Sequence, residues 1–197
     1  MNKKQSSRDR LLDNTFTEIY THGYAGTSID VILKNAQVPK GSMYHHFKSK
    51  KALVMAMIRE RLYVKMDNFF SFDILDGYSV QESFEKSYLM ISKNVPLVMY
   101  GCPLYRLMVE LGATDQEFDI LLTSKARELQ EGVASMLREG IATGEYGENL
   151  DIESFASYML NATWGILSNS PTFSSPKNFL AQSQHILNTL AGYKRDD

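Results

Sequence analysis

Apolar residues in this chain recur at three- and four-residue spacings, and sustained alternation of apolar with polar residues is nearly absent. A segment patterned in this way has one buried stripe and must lay it against another helix, so the chain is expected to be all-α. The spacing predicts a first helix over 6–21, with Leu11, Leu12, Phe16, Ile19 and Tyr20 on its inner face and His22-Gly23 ending it. A second helix opens at Thr27-Ser28-Ile29-Asp30, where Thr27 is the expected N-cap and Asp30 stands where a carboxylate can reach back to a free amide. Ile29, Ile32 and Leu33 supply its core face. After a break at 35–38, Pro39 suits the first turn of a short third helix ending near His46, and Ser49 can cap a long fourth helix. Further helices are predicted over 79–95, 102–112, 115–143, 151–169 and 176–192, separated by glycines and prolines such as Gly77, Pro96 and Gly101. The expected architecture is a three-helix head carrying a helix-turn-helix, residues 1–51, and a helical body, residues 52–197, with about nine helices in all.

A length of 197 residues accommodates one small module and one medium one, and 44% hydrophobic with 22% charged residues is ordinary for a soluble globular protein. No apolar run approaches the roughly 20 residues a membrane-spanning helix needs. The basic stretch at the start is not followed by an apolar segment, so it does not read as a signal peptide. The lone cysteine, Cys102, excludes an internal disulfide and suits a reducing compartment, so the chain is expected in the cytoplasm. The net charge of −2 conceals an uneven distribution. Residues 1–51 carry nine basic side chains against four acidic, a net +5, which leaves 12 against 19, a net −7, in the remainder. A polyanion is therefore attracted to one end only.

The third helix reads Pro39-Lys40-Gly41-Ser42-Met43-Tyr44-His45-His46-Phe47, and only Met43 and Phe47, four residues apart, are plainly apolar. The other surface offers an ammonium, a bare glycine, a hydroxyl, a phenol and two imidazoles. A glycine weakens a helix, and its presence makes sense where another surface must come close, as a base pair does in the major groove. Two helices joined by a short turn, the second brief and polar on one side, describe a helix-turn-helix.

The run Thr27-Ser28-Ile29, then Ala36, then Val38 through Leu53, together with the preceding Leu12, Phe16 and Gly23-Tyr24, resembles the DNA-binding signature of the TetR family of transcription regulators. The resemblance covers about the first quarter of the chain. It implies that Thr27 and Ser28 meet phosphate at the start of the second helix, that Lys40, Gly41 and Tyr44 face base edges, and that Ser42, His45, His46 and Lys50 contact the sugar-phosphate backbone. It implies double-stranded DNA as a partner, a homodimer built on the last two long helices, and a small, largely apolar effector bound in the body. For that interface Phe155, Tyr158, Met159, Trp164, Ile166, Leu167, Phe179, Leu180, Ile186 and Leu190 are available, some of them ordinary core.

The body is rich in methionine and aromatic residues, which can line adaptable apolar pockets; the candidates are Cys102, Tyr105, Met108, Tyr158 and Trp164. Gly101-Cys102-Pro103 falls at a predicted helix start, where the dipole lowers a thiol pKa, so a redox or electrophile sensor acting through Cys102 is one alternative. Another is a DNA-binding protein of the same family with no effector. No catalytic constellation, nucleotide loop or cofactor motif is present, and an enzyme is not expected. Adjacent histidines on a helix diverge, and with only His22 and His185 besides, no metal site is expected.

Overall fold

A computed structural model of the chain describes residues 5–70, 72–169 and 171–195. Lys3 and Lys4, counted above in the basic head, lie outside the described residues. The fold is all-α, and the described residues form no strand, only an isolated bridge between Tyr146 and Lys194. The helices fall into two compact units. One holds Met1–Asp67 with Arg106–Thr123, and the other holds Asn68–Tyr105 with Ser124–Asp197. The unit containing the helix-turn-helix runs on through the fourth helix and takes in a second stretch of chain.

In the first unit, α1 (Ser7–Gly26) starts at Ser6, whose hydroxyl accepts the Asp9 amide, and is interrupted at Gly23, where φ is +75°. It is followed by α2 (Ile29–Ala36), α3 (Lys40–His46) and α4 (Lys50–Met57), which passes through a π-helical turn (Ile58–Leu62) into α5 (Tyr63–Phe69). Ser49 caps α4 as its sequence suggests, accepting the Ala52 amide. The N-cap of α2 is Ser28 rather than Thr27. Ser28 accepts the Val31 amide, whereas Thr27 is buried and donates its hydroxyl to the Gly23 carbonyl at 2.7 Å. Either hydroxyl could cap; the break at Gly23 turns that of Thr27 inward. Leu11, Leu12, Ile32 and Leu53 are wholly buried where α1, α2 and α4 meet. An ionic collar ties α1 to the π-helical turn: Arg8 bridges Glu60 at 2.6 Å, and Arg61 reaches both Asp9 and Asp13.

The second unit is organised on α6 (Val80–Lys93) packed against α11 (Pro176–Ala191), with α7 (Val95–Tyr100) and α10 (Ile152–Leu167) against them. Ser79 and Glu82 form a capping box at the start of α6, and the Glu145 carboxylate accepts the amides of Val80 and Gln81 at 2.7 and 3.0 Å. Pro96 reads in the sequence as a stop, yet a helix, α7, forms around it. In the structure Pro96 occupies the first turn, where its missing amide is not needed, and Asn94 caps the helix. Two further helices, α8 (Pro103–Leu111) and α9 (Gln116–Ala142), supply residues to both units.

Arg8 holds the Glu60 carboxyl below its ordinary range through their hydrogen bond. A carboxylate depressed in the fold contributes stability above the ordinary carboxylate pKa and loses it as pH falls. Exposed at this level, such a pair contributes at most about 1 kcal/mol. Thermal melts between about pH 6 and pH 3 are expected to fall less steeply for Glu60→Gln than for the unaltered chain; parallel curves would remove the collar from the acid response.

Candidate nucleic-acid interface

Helices α2 and α3 are joined by a turn whose sharpness comes from Gln37, the only described non-glycine residue with a positive φ, at +52°. Its amide and that of Val38 close on the carbonyls of α2, ending that helix, and Val38 is buried beneath the turn. A glycine here would have announced the left-handed residue; glutamine gave no such signal.

Helix α3 is held from one side only. Met43 is 0% and Phe47 6% exposed, while Lys40, Gly41, Tyr44, His45 and His46 are exposed and Ser42 is half-buried. A Cβ built on Gly41 would meet nothing within 4 Å, so the glycine presents bare backbone outward. Tyr44 is 47% exposed. Lys40 places its ammonium 3.6 Å from the Asp30 carboxylate on α2, both in solvent. His46 Nε2 lies 3.1 Å from the Ser7 hydroxyl, which restrains that ring against the start of α1. The surface brings together a cation, hydroxyls, a phenol and imidazoles: donors for phosphate and base edges, and an aromatic face.

Two residues of the expected set are engaged inside the fold. Thr27 is 3% exposed. Lys50 donates its ammonium to the Tyr24 carbonyl and lies 4.1 Å from the centroid of the Tyr24 ring, and burial lowers its pKa. Ser28 remains exposed at the start of α2. Sequence reasoning passed over Val31, which is 42% exposed and shares the outer face of α2 with Ser28 and Asn35 by its spacing. Among the described residues, no three His, Cys, Asp or Glu side chains could hold a metal ion.

In the second unit, Cys102, Tyr105 and Trp164 come together. The rings of Tyr105 and Trp164 stack at 5.3 Å. Met108 is half-buried on α8 and belongs to the first unit. Cys102 is wholly buried. Burial pushes its thiol up to about 11, against the amides of Tyr105 and Leu104 at the start of α8 and the Trp164 indole, which all favour the thiolate. The expected lowering by the helix dipole is thus outweighed. The Trp164 Nε1 group makes no hydrogen bond of ordinary geometry, so the weakly accepting sulfur is what it can polarise. Tyr158 stands apart in exposure, at 43%, packed at 5.4 Å on Phe155. Sequence reasoning did not find a shallow crevice lined by Val98, Ile166, Phe173 and Phe179.

A short helix anchored on one face, with an exposed polar and aromatic face at a helix-turn-helix, defines a DNA-reading protein. Residues 11–57 match the family described as bacterial regulatory proteins, tetR family, and residues 82–185 match the tetracyclin repressor-like C-terminal domain. The chain belongs to the TetR family of DNA-binding transcriptional regulators. It is 29% identical over 137 residues to an uncharacterized HTH-type transcriptional regulator in the lacX 3′ region of Lactococcus lactis, covering 68% of this chain and 69% of the relative. It is 27% identical over 165 residues to the HTH-type transcriptional repressor KstR2 of Mycolicibacterium smegmatis, covering 81% and 77%. A TetR transcriptional regulator from Chloroflexus aurantiacus has the same fold, with a TM-score of 0.81 at 21% identity over the full length of both chains. No helix among the described residues is long and apolar enough to cross a membrane.

Gly41→Ala is expected to raise stability by about 0.5–1 kcal/mol through helix propensity while weakening DNA binding, because the added methyl faces outward. Melting curves with gel shifts check it; a stabilised variant that binds DNA unchanged would free Gly41 from the contact surface. Iodoacetamide is expected to modify Cys102 only at the rate of unfolding at neutral pH, read by mass spectrometry; prompt labelling of the folded chain would show that the thiol is reachable.

Proposed function

We propose that the protein is a homodimeric repressor that binds a palindromic operator and is released from it by a small, largely apolar effector. The observation that carries the DNA-reading part is the division of α3 into a buried Met43–Phe47 face and an outward Lys40–Gly41–Tyr44 face. On this reading Lys40, Gly41 and Tyr44 meet base edges, while Ser28, Ser42, His45 and His46 meet the phosphate backbone. Thr27 supports the start of α2 from beneath. Lys50 would need to leave Tyr24 to reach a phosphate.

A seven-residue helix reads only a few base pairs, and pairing two such helices on a symmetric site multiplies the sequence read. The outer faces of α10 and α11 suit such pairing. Phe155, Met159, Trp164, Leu167, Phe179, Ile186 and Leu190 are buried within the chain, so Tyr158, Ile166 and Leu180 are what the expected aromatic and aliphatic set leaves for a partner. Gly165, beside Ile166, has open space where a side chain would project, which permits close helix approach. Repression is supported by the relative named as a repressor, KstR2. An apolar effector is supported by the Tyr105–Trp164 stack and its apolar surroundings, and release would then be a shift between two states of different DNA affinity.

Sequencing genomic fragments captured by the purified chain is expected to return a palindromic site. Tyr44→Ala and Lys40→Ala should each lose roughly 1–3 kcal/mol of discrimination at particular base positions. Uniform weakening on every sequence would move those residues to phosphate contacts, and enrichment of single half-sites by a sedimenting monomer would sink the dimer.

A further inference from the structure

Glu110 takes part in none of the roles described so far. It lies on α8, within the stretch that belongs to the same compact unit as the helix-turn-helix. Its carboxylate accepts the Tyr24 amide at 2.9 Å and the Ala25 amide at 2.8 Å, one oxygen to each. Those amides are available because α1 breaks at Gly23, where φ of 75° and ψ of 172° turn the chain out of the helix. Successive amides displayed by such a turn form a concavity that favours an anion. Gly23 is part of the fit: a Cβ at that position would lie 3.0 and 3.2 Å from the two Glu110 carboxylate oxygens.

The same turn delivers the chain to α2. The Thr27 hydroxyl donates to the Gly23 carbonyl, the Thr27 amide donates to the Tyr24 carbonyl, and Ser28 then caps α2. The Tyr24 carbonyl also receives the Lys50 ammonium from α4, while Glu110 takes the amide side. A carboxylate from α8 and an ammonium from α4 therefore hold the two polar sides of one turn, and Lys50 is near enough to feel the Glu110 charge. The contact is not the sole attachment of this stretch. Arg106 donates to the Tyr20 carbonyl at 2.8 Å, and Lys51 bridges Asp115 and Glu117.

The geometry points to Glu110 as a positioning residue for DNA reading: by gripping the Tyr24–Ala25 turn it sets the angle at which α2 begins, and with it how Ser28 and the α3 face are presented to the duplex. The apolar core of α1, α2 and α4 is built from Leu11, Leu12, Ile32 and Leu53 and does not involve it, so its loss changes presentation before it changes folding.

The test compares Glu110→Gln, Gly23→Ala and the conservative Glu110→Asp with the unaltered full-length chain. Binding is measured to the duplex that the unaltered chain selects from a random pool, and to a random duplex of equal length. Glu110→Gln and Gly23→Ala are each expected to lose about tenfold in affinity for the selected duplex, the size of one charge-assisted hydrogen bond, and to change by less than about twofold on the random duplex. Glu110→Asp should recover part of the loss. Amide hydrogen exchange without DNA should quicken at Tyr24, Ala25 and the first turn of α2, and remain unchanged in α6 and α11. In Glu110→Gln, which leaves the backbone unstrained, a merely structural contact would instead lower the melting temperature, quicken exchange throughout and weaken both duplexes alike, and that result overturns the proposal. Unchanged exchange and unchanged selectivity in both variants overturn it as well. The exchange arm needs no DNA, so failure of the unaltered chain to select any duplex counts against sequence-specific reading rather than against the joint.

Discussion

The seating of Met43 and Phe47 is the contact on which the reading surface depends. A seven-residue helix cannot sustain itself in water, because nucleation is unfavourable and few backbone hydrogen bonds follow it. Helix α3 has the further handicaps of a glycine at its second position and an N-cap, Pro39, that provides no side-chain hydrogen bond. Two apolar side chains four residues apart supply what propensity does not, and that spacing commits one face inward and the opposite one outward. Gln37 completes the arrangement by ending α2 in a left-handed residue, which directs Val38 under the turn and brings α3 out at its angle. The presentation of Lys40 and Tyr44 is therefore a consequence of packing on the far side of their own helix.

The basic side chains of residues 5–51, together with Arg61, divide into a structural share and an outward share. Arg8 and Arg61 are bound to Glu60, Asp9 and Asp13; Arg10 donates to the Ala36 and Gln5 carbonyls; Lys50 and Lys51 are held by Tyr24 and by Asp115 with Glu117. Lys34, Lys40 and Lys48 are exposed. The count of +5 over residues 1–51 thus describes the field that segment contributes at a distance, whereas only cations that reach phosphates release counterions and steepen the salt dependence of binding. Asp30 beside Lys40 adds a carboxylate to the exposed surface itself. On the proposed reading, in which Lys40 meets base edges, Asp30 would disfavour phosphate and confine the lysine, trading general affinity for orientation.

What was legible in the sequence follows from period and punctuation. The helical stripes of α1, α2 and α4, the Ser49 cap, the break at Gly23 and the opposed faces of α3 each leave a mark within a few residues of chain. Contacts distant in sequence leave none. Lys50 reads as one more cation of a basic run, and only folding places it on Tyr24. Thr27 and Ser28 are equivalent as candidate caps until the Gly23 turn buries one of them. In α10 and α11 the apolar residues cover more than one face, so their periodicity does not say which meet a partner. Burial assigns Trp164 and Leu190 to the chain's own core and leaves Tyr158 outside.

Cys102 shows the same limit as a competition between two effects. Its place before α8 is visible in the sequence, and the aligned amides there favour a thiolate. Its depth is not visible, because depth depends on where Trp164, some sixty residues away, comes to rest. Desolvation acts on the whole charge of the thiolate, whereas a few amides and an indole supply partial charges. With the sulfur wholly buried, the first effect outweighs the second and the thiol stays protonated at neutral pH. A cysteine at a helix start is therefore reactive only where solvent reaches it. Position along a helix can be read from sequence, but burial, which decides the sign of the shift, comes from tertiary packing.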